Sequence, residues 1–302
     1  MRNSFAEEIT KLASKNKKIV LLSGDIGNRL FDNFRKNHKS RFYNCGIAEA
    51  SMAGIASGLA SMDFLPVMYT ITPFNTMRCL EQIKLDICYP NLPIIIVGTG
   101  SGLSYASLGS THHSLEDISI LRSIPNITIF CPSDPNEVKD LLKESLKIKG
   151  PVYLRLGKKN EIQFNNRKKI GSMHEMIKGK TNCLINVGAI LKNVMDASII
   201  LSKNKINHSV YDLRQIKPLI KKDLIFLLKN YSKIFVVEEH YENGGAYSYI
   251  LEEANKIKKF NPKIYPISIE NKFIKFCGNQ QSAHKMIGLD SQSIFQRIKK
   301  EI

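Results

Sequence analysis

The sequence predicts an α/β protein in which a doubly wound, mostly parallel sheet is followed by a smaller α/β domain. Over the first 160 residues, short apolar segments alternate with segments of helical periodicity. This alternation is typical of parallel sheets with helices on both faces. After a polar and basic stretch, the alternation returns on a smaller scale. These observations predict two domains joined by a linker.

The first domain is predicted to span residues 1–165. Its first helix covers 4–15, where Phe5, Ile9 and Leu12 recur at helical spacing. The clearest buried strand is 92–98, an apolar run of strand length. Further strands are predicted at 18–22, 42–44, 67–71, 127–131 and 151–155, and further helices from about residue 49, at 75–88, at 113–122 and at 135–146.

The polar and basic stretch 166–179 is predicted to be the linker, and residues 180–302 the second domain. Strands and helices are again expected to alternate there. The predicted strands are 181–187, 207–213, 234–238 and 264–269, and the last predicted helix is 291–301.

Composition and charge limit the kinds of protein that this chain can be. Hydrophobic residues make up 43% and charged residues 24% of the 302 residues, which is typical of a globular protein. The net charge of +17 is spread along the chain, so it favours anionic small substrates over nucleic acid. No apolar run suits a membrane span and the N-terminus lacks a signal-peptide core, so a cytoplasmic location is expected. The cysteines show no CxxC spacing, so no zinc or redox site is expected.

Glu49 precedes a helix that is rich in small residues. Met52, Ile55 and Leu59 form an apolar stripe that we expect to face the core. Glycines 54 and 58, one turn apart, cost roughly 1 kcal/mol each relative to Ala, and close packing against a partner subunit would explain that cost. Glu49 alone has two interpretations, because an acid in the first turn also stabilises a helix dipole.

The segment Cys45–Glu49 and the helix after it begin a series of motifs that resembles the transketolase family. That family includes transketolases, deoxyxylulose-phosphate synthases and the beta subunits of 2-oxo acid dehydrogenases. The other matching segments are 66–74, 110–113, 116–126, 132–137, 150–155, 212–219 and 237–245. The resemblance covers nearly the whole chain. It implies a pyrimidine-binding domain of the thiamine diphosphate type followed by a transketolase C-terminal domain.

The resemblance also implies roles for three residues at the cofactor. Glu49 would activate thiamine diphosphate, because a carboxyl group beside the pyrimidine ring assists removal of the proton from the thiazolium C2. Such a group needs surroundings shielded from water so that it can share a proton. Phe74 would pack on the pyrimidine ring. Asp25, at the end of a predicted strand, matches an acid near the thiazolium ring, although a turn or helix-cap role fits it equally well.

One part of the expected active site is missing from the sequence. In the family, the diphosphate is held through a metal by a domain with Gly-Asp-Gly followed about thirty residues later by Asn. The nearest segment here, 24–28, lacks the second glycine and the spacing. The resemblance therefore implies a separate partner subunit that holds the diphosphate and Mg²⁺, with a 2+2 heterotetramer as the natural assembly. No metal site is expected in this chain.

Several residues are candidates for contact with a sugar substrate. His112, in the family's Thr-His motif, is a candidate for proton transfer or for binding a substrate hydroxyl, and His113 is a weaker candidate. Arg155 and Lys158 match a place where related synthases have two arginines, and Arg78 is a further candidate anion contact. For Arg78 and Lys158, a solvated surface position is an equally good interpretation.

The substrate loop also departs from the family pattern. Gly100 stands where transketolases usually have a histidine, and Leu108 stands where they have an acid that contacts a sugar hydroxyl. These departures leave the identity of the sugar open. His240, in the second domain, is interpreted as structural.

The leading functional prediction is transfer of a two-carbon ketol unit between sugars or sugar-like substrates. The first alternative is a 2-oxo acid dehydrogenase beta subunit, and the second is a non-catalytic transketolase-like assembly subunit. Glu49 and Phe74 count against the second alternative, because a chain without cofactor contact has no use for this acid and aromatic pair.

Overall fold

The structure is a computed structural model that describes residues 1–27, 29–158, 161–165, 168–257, 259–275 and 278–302. It contains two parallel-dominated sheets with helices packed against them, which confirms the predicted fold class. Among the described residues, no helix combines the length and the apolar composition that a membrane crossing requires.

The first sheet contains six parallel strands from the N-terminal half of the chain. They are β1 Ile19–Ser23, β2 Phe42–Asn44, β3 Leu65–Ile71, β4 Ile95–Thr99, β5 Thr128–Phe130 and β6 Val152–Leu156. Their order is β5-β6-β4-β3-β1-β2. The chain passes from β1 to β2 on one side and then to β3 and β4 on the other side, so a crevice for ligands is expected where this direction reverses, at the carboxyl ends of β1 and β3.

Among the described residues, seven α-helices accompany this sheet. They are α1 Arg2–Lys15, α2 Asp32–Asn37, α3 Glu49–Ser61, α4 Thr72–Thr76, α5 Leu80–Gln82, α6 Asp117–Arg122 and α7 Pro135–Ser145. Apolar side chains of α1 and α7 pack with one face of the sheet and those of α3 and α6 with the other. The burial of both faces explains the nearly continuous apolar strands.

Two predicted helices differ in the structure. The predicted helix 75–88 is divided into α4, α5 and a π-helical turn, Ile83–Cys88. The predicted helix 113–122 starts only at Asp117, because Ser114 forms a β-bridge with Gly102 and its backbone is therefore committed elsewhere. Both differences lie next to the candidate site, where loop contacts override helical periodicity.

Seven further strands follow among the described residues, and all but one of them form the second sheet. They are β7 Lys168–Ile170, β8 Met173–Ile177, β9 Thr181–Val187, β10 His208–Leu213, β11 Gln215–Lys217, β12 Tyr231–Tyr241 and β13 Lys263–Ile269. The order is β13-β12-β9-β10-β8-β7, and β11 instead pairs antiparallel with β5 of the first sheet. The helices of this part are α8 Leu191–Lys203, α9 Lys221–Asn230, α10 Ala246–Ile257, α11 Gln280–Ile287 and α12 Ser291–Glu301.

The stretch 166–179, predicted to be a linker, contains strands β7 and β8. Residues 166 and 167 lie outside the described residues. Strand β8 pairs antiparallel with β10 and with β7, so the second sheet begins before residue 180. Strand β7 lies at the edge of the sheet, where polar and basic residues are favoured, and β8 lies next to it, between β7 and β10. Their composition therefore resembled that of a linker.

His240, interpreted from the sequence as structural, is fully buried at the end of β12. Its Nδ1 lies 2.6 Å from the carbonyl oxygen of Tyr241, and its Nε2 accepts a long hydrogen bond of 3.4 Å from the backbone N–H of Ser119 in α6. The neutral imidazole with its proton on Nδ1 satisfies both contacts. Burial lowers the pKa of His240 from 6.5 to about 4.

This burial predicts a pH-dependent contribution to stability. Between pH 6.5 and pH 4, His240 is protonated in the unfolded chain but neutral in the folded chain. The contribution of the neutral, buried His240 to the free energy of unfolding is therefore complete above about pH 6.5 and is lost as the pH falls towards 4. Burial raises the pKa of Glu238 to about 7, so Glu238 makes the folded protein more stable as the pH falls, opposite to His240. The pH dependence of the wild-type stability alone therefore does not isolate the effect of His240. In urea unfolding, the stability advantage of wild type over His240→Asn should shrink by about 3 kcal/mol between pH 7 and pH 4. An advantage that stays constant across this range would contradict the prediction.

Candidate active site

Glu49 is the first residue of α3, after the turn that follows β2. Its side chain is only 4% exposed. The N-cap position belongs to Ala48, which offers no capping side chain. The Glu49 carboxylate instead accepts a hydrogen bond at Oε2 from Arg78 Nη1, at 2.9 Å. Glu49 is therefore a buried, paired carboxylate and not an exposed acid of a first helical turn.

Phe74 and Arg78 complete a compact group with Glu49. Phe74 lies in α4, which follows β3 directly and has Pro73 in its first turn. The Arg78 guanidinium carbon lies 4.2 Å from the centre of the Phe74 ring. The planar guanidinium therefore contacts the ring of Phe74 and the carboxylate of Glu49 at the same time. Glu49 and Phe74, the two residues predicted to contact the pyrimidine ring, therefore lie on either side of the Arg78 guanidinium.

The carboxyl ends of β1 and β3 border the other oxygen of Glu49. A Cβ added at Gly24 would lie 2.7 Å from Thr70 Oγ1 and 3.8 Å from Glu49 Oε1. Thr70 Oγ1 is buried and has no hydrogen-bond partner among the residues that the structure describes. Because buried hydroxyls are nearly always hydrogen-bonded, this atom marks an unfilled polar position near Glu49.

Asp25 follows Gly24 and is exposed. Its Oδ1 accepts a hydrogen bond from Asn44 Nδ2 at 3.1 Å. The contact ties the ends of β1 and β2 together. The predicted role of Asp25 beside the cofactor remains a prediction.

His112 borders the Phe74 ring. The two ring centres lie 5.1 Å apart with planes inclined by 68°, and Thr111 Oγ1 lies 2.9 Å from His112 Nδ1. Partial burial lowers the pKa of His112, and electrostatic interactions with His113, Lys158 and Arg78 lower it further. The neutral imidazole is therefore favoured at neutral pH, a form that can accept a proton.

His113 does not belong to this group. Its side chain is only 5% exposed, and Nε2 lies 3.4 Å from the carbonyl oxygen of Ala106. Burial lowers its pKa, which keeps the ring neutral. In this structure the side chain turns into its own loop, an arrangement that does not support the predicted substrate contact of His113.

Arg155 is also not available to a substrate. It lies in β6, is 2% exposed, and its Nε donates to Asp117 Oδ2 at 2.7 Å. Its Nη2 donates to the carbonyl oxygens of Ser114 and of Glu239, at 3.1 and 3.0 Å. In this structure Arg155 is a buried joint between the first sheet and β12, an arrangement that does not support the predicted substrate contact.

Lys158 is placed differently, two residues after the end of β6. Its Nζ lies 3.9 Å from the centre of the Tyr105 ring. The centres of the Tyr105 and His112 rings are 5.8 Å apart. Lys158 is thereby connected to His112 through one aromatic ring. Tyr105 was not predicted from the sequence, and its only signal was an aromatic residue five positions after the departure at Gly100.

A second buried group of titratable side chains was also not predicted. Glu137 Oε1 lies 2.6 Å from His174 Nδ1, and Ser133 Oγ lies 3.1 Å from Glu137 Oε2 and 2.5 Å from Asp212 Oδ2. Asn186 Nδ2 donates to the other oxygen of Asp212 at 2.7 Å. The group joins α7 to strands β8, β9 and β10, so it fixes the first sheet against the second.

Comparison with known protein families agrees with this architecture. The family model described as the transketolase pyrimidine-binding domain matches residues 1–162. The model described as the transketolase C-terminal domain matches residues 171–294. The chain therefore belongs to the transketolase family, with a pyrimidine-binding domain followed by a C-terminal domain.

Individual relatives and one solved structure show which members of the family this chain is similar to. The chain is 34% identical to one of the subunits of the apulose-4-phosphate transketolase of Actinobacillus succinogenes, over 86% of this chain and 85% of that protein. It is 31% identical to 1-deoxy-D-xylulose-5-phosphate synthase of Dictyoglomus thermophilum, over 97% of this chain but 48% of that protein. Among solved structures, it resembles a protein described as a split gene transketolase, inactive beta4 tetramer, with a TM-score of 0.86 and 25% identity over 99% and 96% of the two chains.

Proposed function

We propose that this chain is the cofactor-activating subunit of a split transketolase, which transfers a two-carbon ketol unit between sugars or sugar-like substrates with thiamine diphosphate. The observation that carries the proposal is the buried Glu49 carboxylate, grouped with Phe74 and with a buried Thr70 hydroxyl that has no hydrogen-bond partner in the described part of the chain. Membership of the transketolase family and similarity to one subunit of an apulose-4-phosphate transketolase support it.

The residues present fit the pyrimidine half of this cofactor. Glu49 offers a carboxylate screened from water, Phe74 offers an aromatic face, and Thr70 offers a buried hydroxyl that lacks a partner among the described residues. When bound, thiamine diphosphate would supply the electron sink for breaking and making a carbon–carbon bond. Glu49 would hold a proton at a carboxylate oxygen, and the neutral His112 imidazole would accept or donate one on the substrate side.

An exposed apolar surface supports the proposal of a separate partner subunit. Ile55, expected to face the core with Met52 and Leu59, is 49% exposed. Other large apolar side chains on α3, on the π-helical turn and next to these elements are exposed as well. They are Ile47, Met62, Met77, Leu85 and Tyr89.

The glycines of α3 add to this surface. Apart from its chain neighbours and the backbone of its own helix, a Cβ added at Gly54 or at Gly58 would have no described atom within 4 Å. Nothing described in this chain covers the helix there, so another backbone can approach closely. The partner would hold the diphosphate and Mg²⁺, and the proposed assembly is a 2+2 heterotetramer in the cytoplasm.

The assay that tests the proposal uses this chain reconstituted with its candidate partner. The partner is the chain of the same genome that carries Gly-Asp-Gly followed about thirty residues later by Asn. The complex should turn over ketose donors with aldose acceptors in the presence of thiamine diphosphate and Mg²⁺. Oxidation of 2-oxo acids with a dichlorophenol dye, without ketol transfer, would instead identify a 2-oxo acid dehydrogenase beta subunit.

The position of Arg78 gives a prediction for cofactor binding. Arg78 makes the two contacts that the pyrimidine ring is expected to make, because it lies over Phe74 and donates to Glu49. The cofactor must therefore displace Arg78 from at least one of them. In the reconstituted complex, Arg78→Met should bind thiamine diphosphate about tenfold more tightly by calorimetry, equivalent to about 1.4 kcal/mol.

Arg35→Met is the matched control for this variant. The Arg35 guanidinium also lies over a phenylalanine, 5.5 Å from the centre of the Phe42 ring, but it has no ion pair with Glu49. We expect this control to leave the affinity unchanged. Weaker cofactor binding in Arg78→Met would show that Arg78 contacts the cofactor, whereas a loss confined to the affinity for sugar would restore its predicted role as a substrate anion contact.

A further inference from the structure

The loop that carries His112 is fixed by a turn. The carbonyl oxygen of Gly109 accepts hydrogen bonds from the backbone N–H groups of His112 and His113, at 3.0 and 3.2 Å. Gly109 has φ +73°, a conformation that side chains rarely adopt. The centre of the His112 ring lies 5.1 Å from that of Phe74 and 5.8 Å from that of Tyr105. The turn and the two rings therefore limit the positions that the imidazole can take.

The hydroxyl of Thr111 lies between two other groups of this loop. Its Oγ1 is 3.3 Å from the carbonyl oxygen of Leu108 and 2.9 Å from Nδ1 of His112. A carbonyl oxygen can only accept, so Thr111 donates its single hydroxyl hydrogen to Leu108. The hydroxyl oxygen can then serve His112 only as an acceptor. Both contacts are satisfied at once only when Nδ1 of His112 carries the imidazole proton.

This tautomer leaves the lone pair of the imidazole on Nε2. In the part of the chain that the structure describes, Nε2 of His112 forms no hydrogen bond. Partial burial and neighbouring groups lower the pKa of His112, so the ring is neutral at neutral pH. Nε2 is therefore available as a proton acceptor beside Phe74 in the candidate active site.

We propose that Thr111 is a positioning residue that holds the proton of His112 on Nδ1 and so presents Nε2 to a hydroxyl group of the sugar. The inference rests on the proposed function. When the carbon–carbon bond of a ketose donor breaks, the bonding electrons stay with the two-carbon unit, the neighbouring hydroxyl becomes a carbonyl, and its proton needs an acceptor. Nε2 takes this proton and returns it to the carbonyl oxygen of the aldose acceptor when the new bond forms. Thr111 Oγ1 accepts from Nδ1 throughout.

Two other histidines are expected to carry their proton on the opposite nitrogen. Nδ1 of His38 lies 2.9 Å from Nη2 of Arg41, which can only donate, and Nε2 of His38 lies 3.2 Å from the carbonyl oxygen of Thr10. Nε2 of His113 lies 3.4 Å from a carbonyl oxygen of its own loop. Both rings are therefore expected in the Nε2–H form. They are internal references for the tautomer of His112.

The first test uses the chain alone with isotope-labelled histidine. Long-range proton–nitrogen NMR correlations, recorded at a pH where the imidazoles are neutral, give the tautomer of each ring, and His112→Gln identifies the signals of His112. We expect the Nδ1–H form of His112 in wild type and in Thr111→Ser, which keeps the hydroxyl. Thr111→Val should shift His112 towards the Nε2–H form and leave His38 and His113 unchanged. The Nε2–H form in wild type, or an unchanged tautomer in Thr111→Val, would overturn the proposal.

The second test uses the reconstituted complex. Thr111→Val should lower kcat about threefold to tenfold, the factor that corresponds to one neutral hydrogen bond. KM should change less, because Thr111 acts through His112 and not on the sugar. Thr111→Ser should retain most of the turnover. An unchanged kcat in Thr111→Val, or an equal loss in Thr111→Ser, would overturn the proposal. A complex without ketol transfer would refute the proposed function, while the tautomer spectra would still decide on Thr111.

Discussion

The Glu49→Gln variant is expected to lower kcat of the reconstituted complex by about 10²–10⁴-fold, the range for loss of a general acid or base. Gln has nearly the same shape and can still hydrogen-bond, but it cannot exchange a proton at the position of Oε1 or Oε2. Because the partner is proposed to hold the diphosphate, the affinity for thiamine diphosphate should change much less than kcat. Turnover and calorimetry on the same preparations separate the two quantities.

Glu7→Gln is the control for this substitution. Glu7 is exposed on α1 and pairs at 3.4 Å with Lys139 at the surface, and such pairs contribute little. We expect its kcat to match that of wild type. Unchanged turnover in Glu49→Gln would refute the activating role and would favour the non-catalytic assembly subunit among the alternatives.

The second large effect is expected on stability. Arg155→Met should lower the free energy of unfolding by about 3–5 kcal/mol, because Asp117 is left as a buried charge without its partner. In the wild-type protein burial alone would raise the pKa of Asp117, but the Arg155 guanidinium more than offsets this and holds the pKa below its usual value. Without Arg155, Asp117 should bind a proton well above its usual pKa, so the deficit of the variant should diminish as the pH falls.

Urea unfolding of three variants tests this assignment. The double variant Asp117→Asn/Arg155→Met should recover part of the stability, since no buried charge then remains unpaired. Lys192→Met is the surface control, because Lys192 pairs with Asp196 while both are well exposed, and it should cost about 0.2–1 kcal/mol. A loss in Arg155→Met no larger than that of the control would contradict the assignment of Arg155 as a buried joint.

The sequence predicted those parts of the protein whose periodicity is governed by burial. Strand Phe42–Asn44 and helix Ser291–Glu301 have the predicted bounds, and α3 begins at Glu49 as expected. Glu49 and Phe74 could be paired from motifs, because both follow strands whose carboxyl ends meet at one edge of the sheet. Strands β7 and β8 could not be recognised, because the edge strand β7 and the residues around it carry the same polar side chains as a linker.

Side-chain direction was the main property that the sequence did not contain. Arg155 and Lys158 both follow the same apolar run, yet Arg155 lies in the strand and is buried by β12, whereas Lys158 lies beyond it on Tyr105. Ile55 matched a core stripe by spacing, but its surroundings leave it half exposed. Contacts between residues far apart in sequence decide each of these cases, and a single sequence does not reveal them.

The central claim is that the chain holds the Glu49 half of a shared thiamine diphosphate site. Isothermal titration of thiamine diphosphate with Mg²⁺ into the chain alone, and then into its complex with the proposed partner, tests it most directly. We expect negligible binding by the chain alone and saturable binding, close to one cofactor per Glu49, in the complex. Tight binding by the chain alone, or no binding in a complex that has formed, would contradict the account.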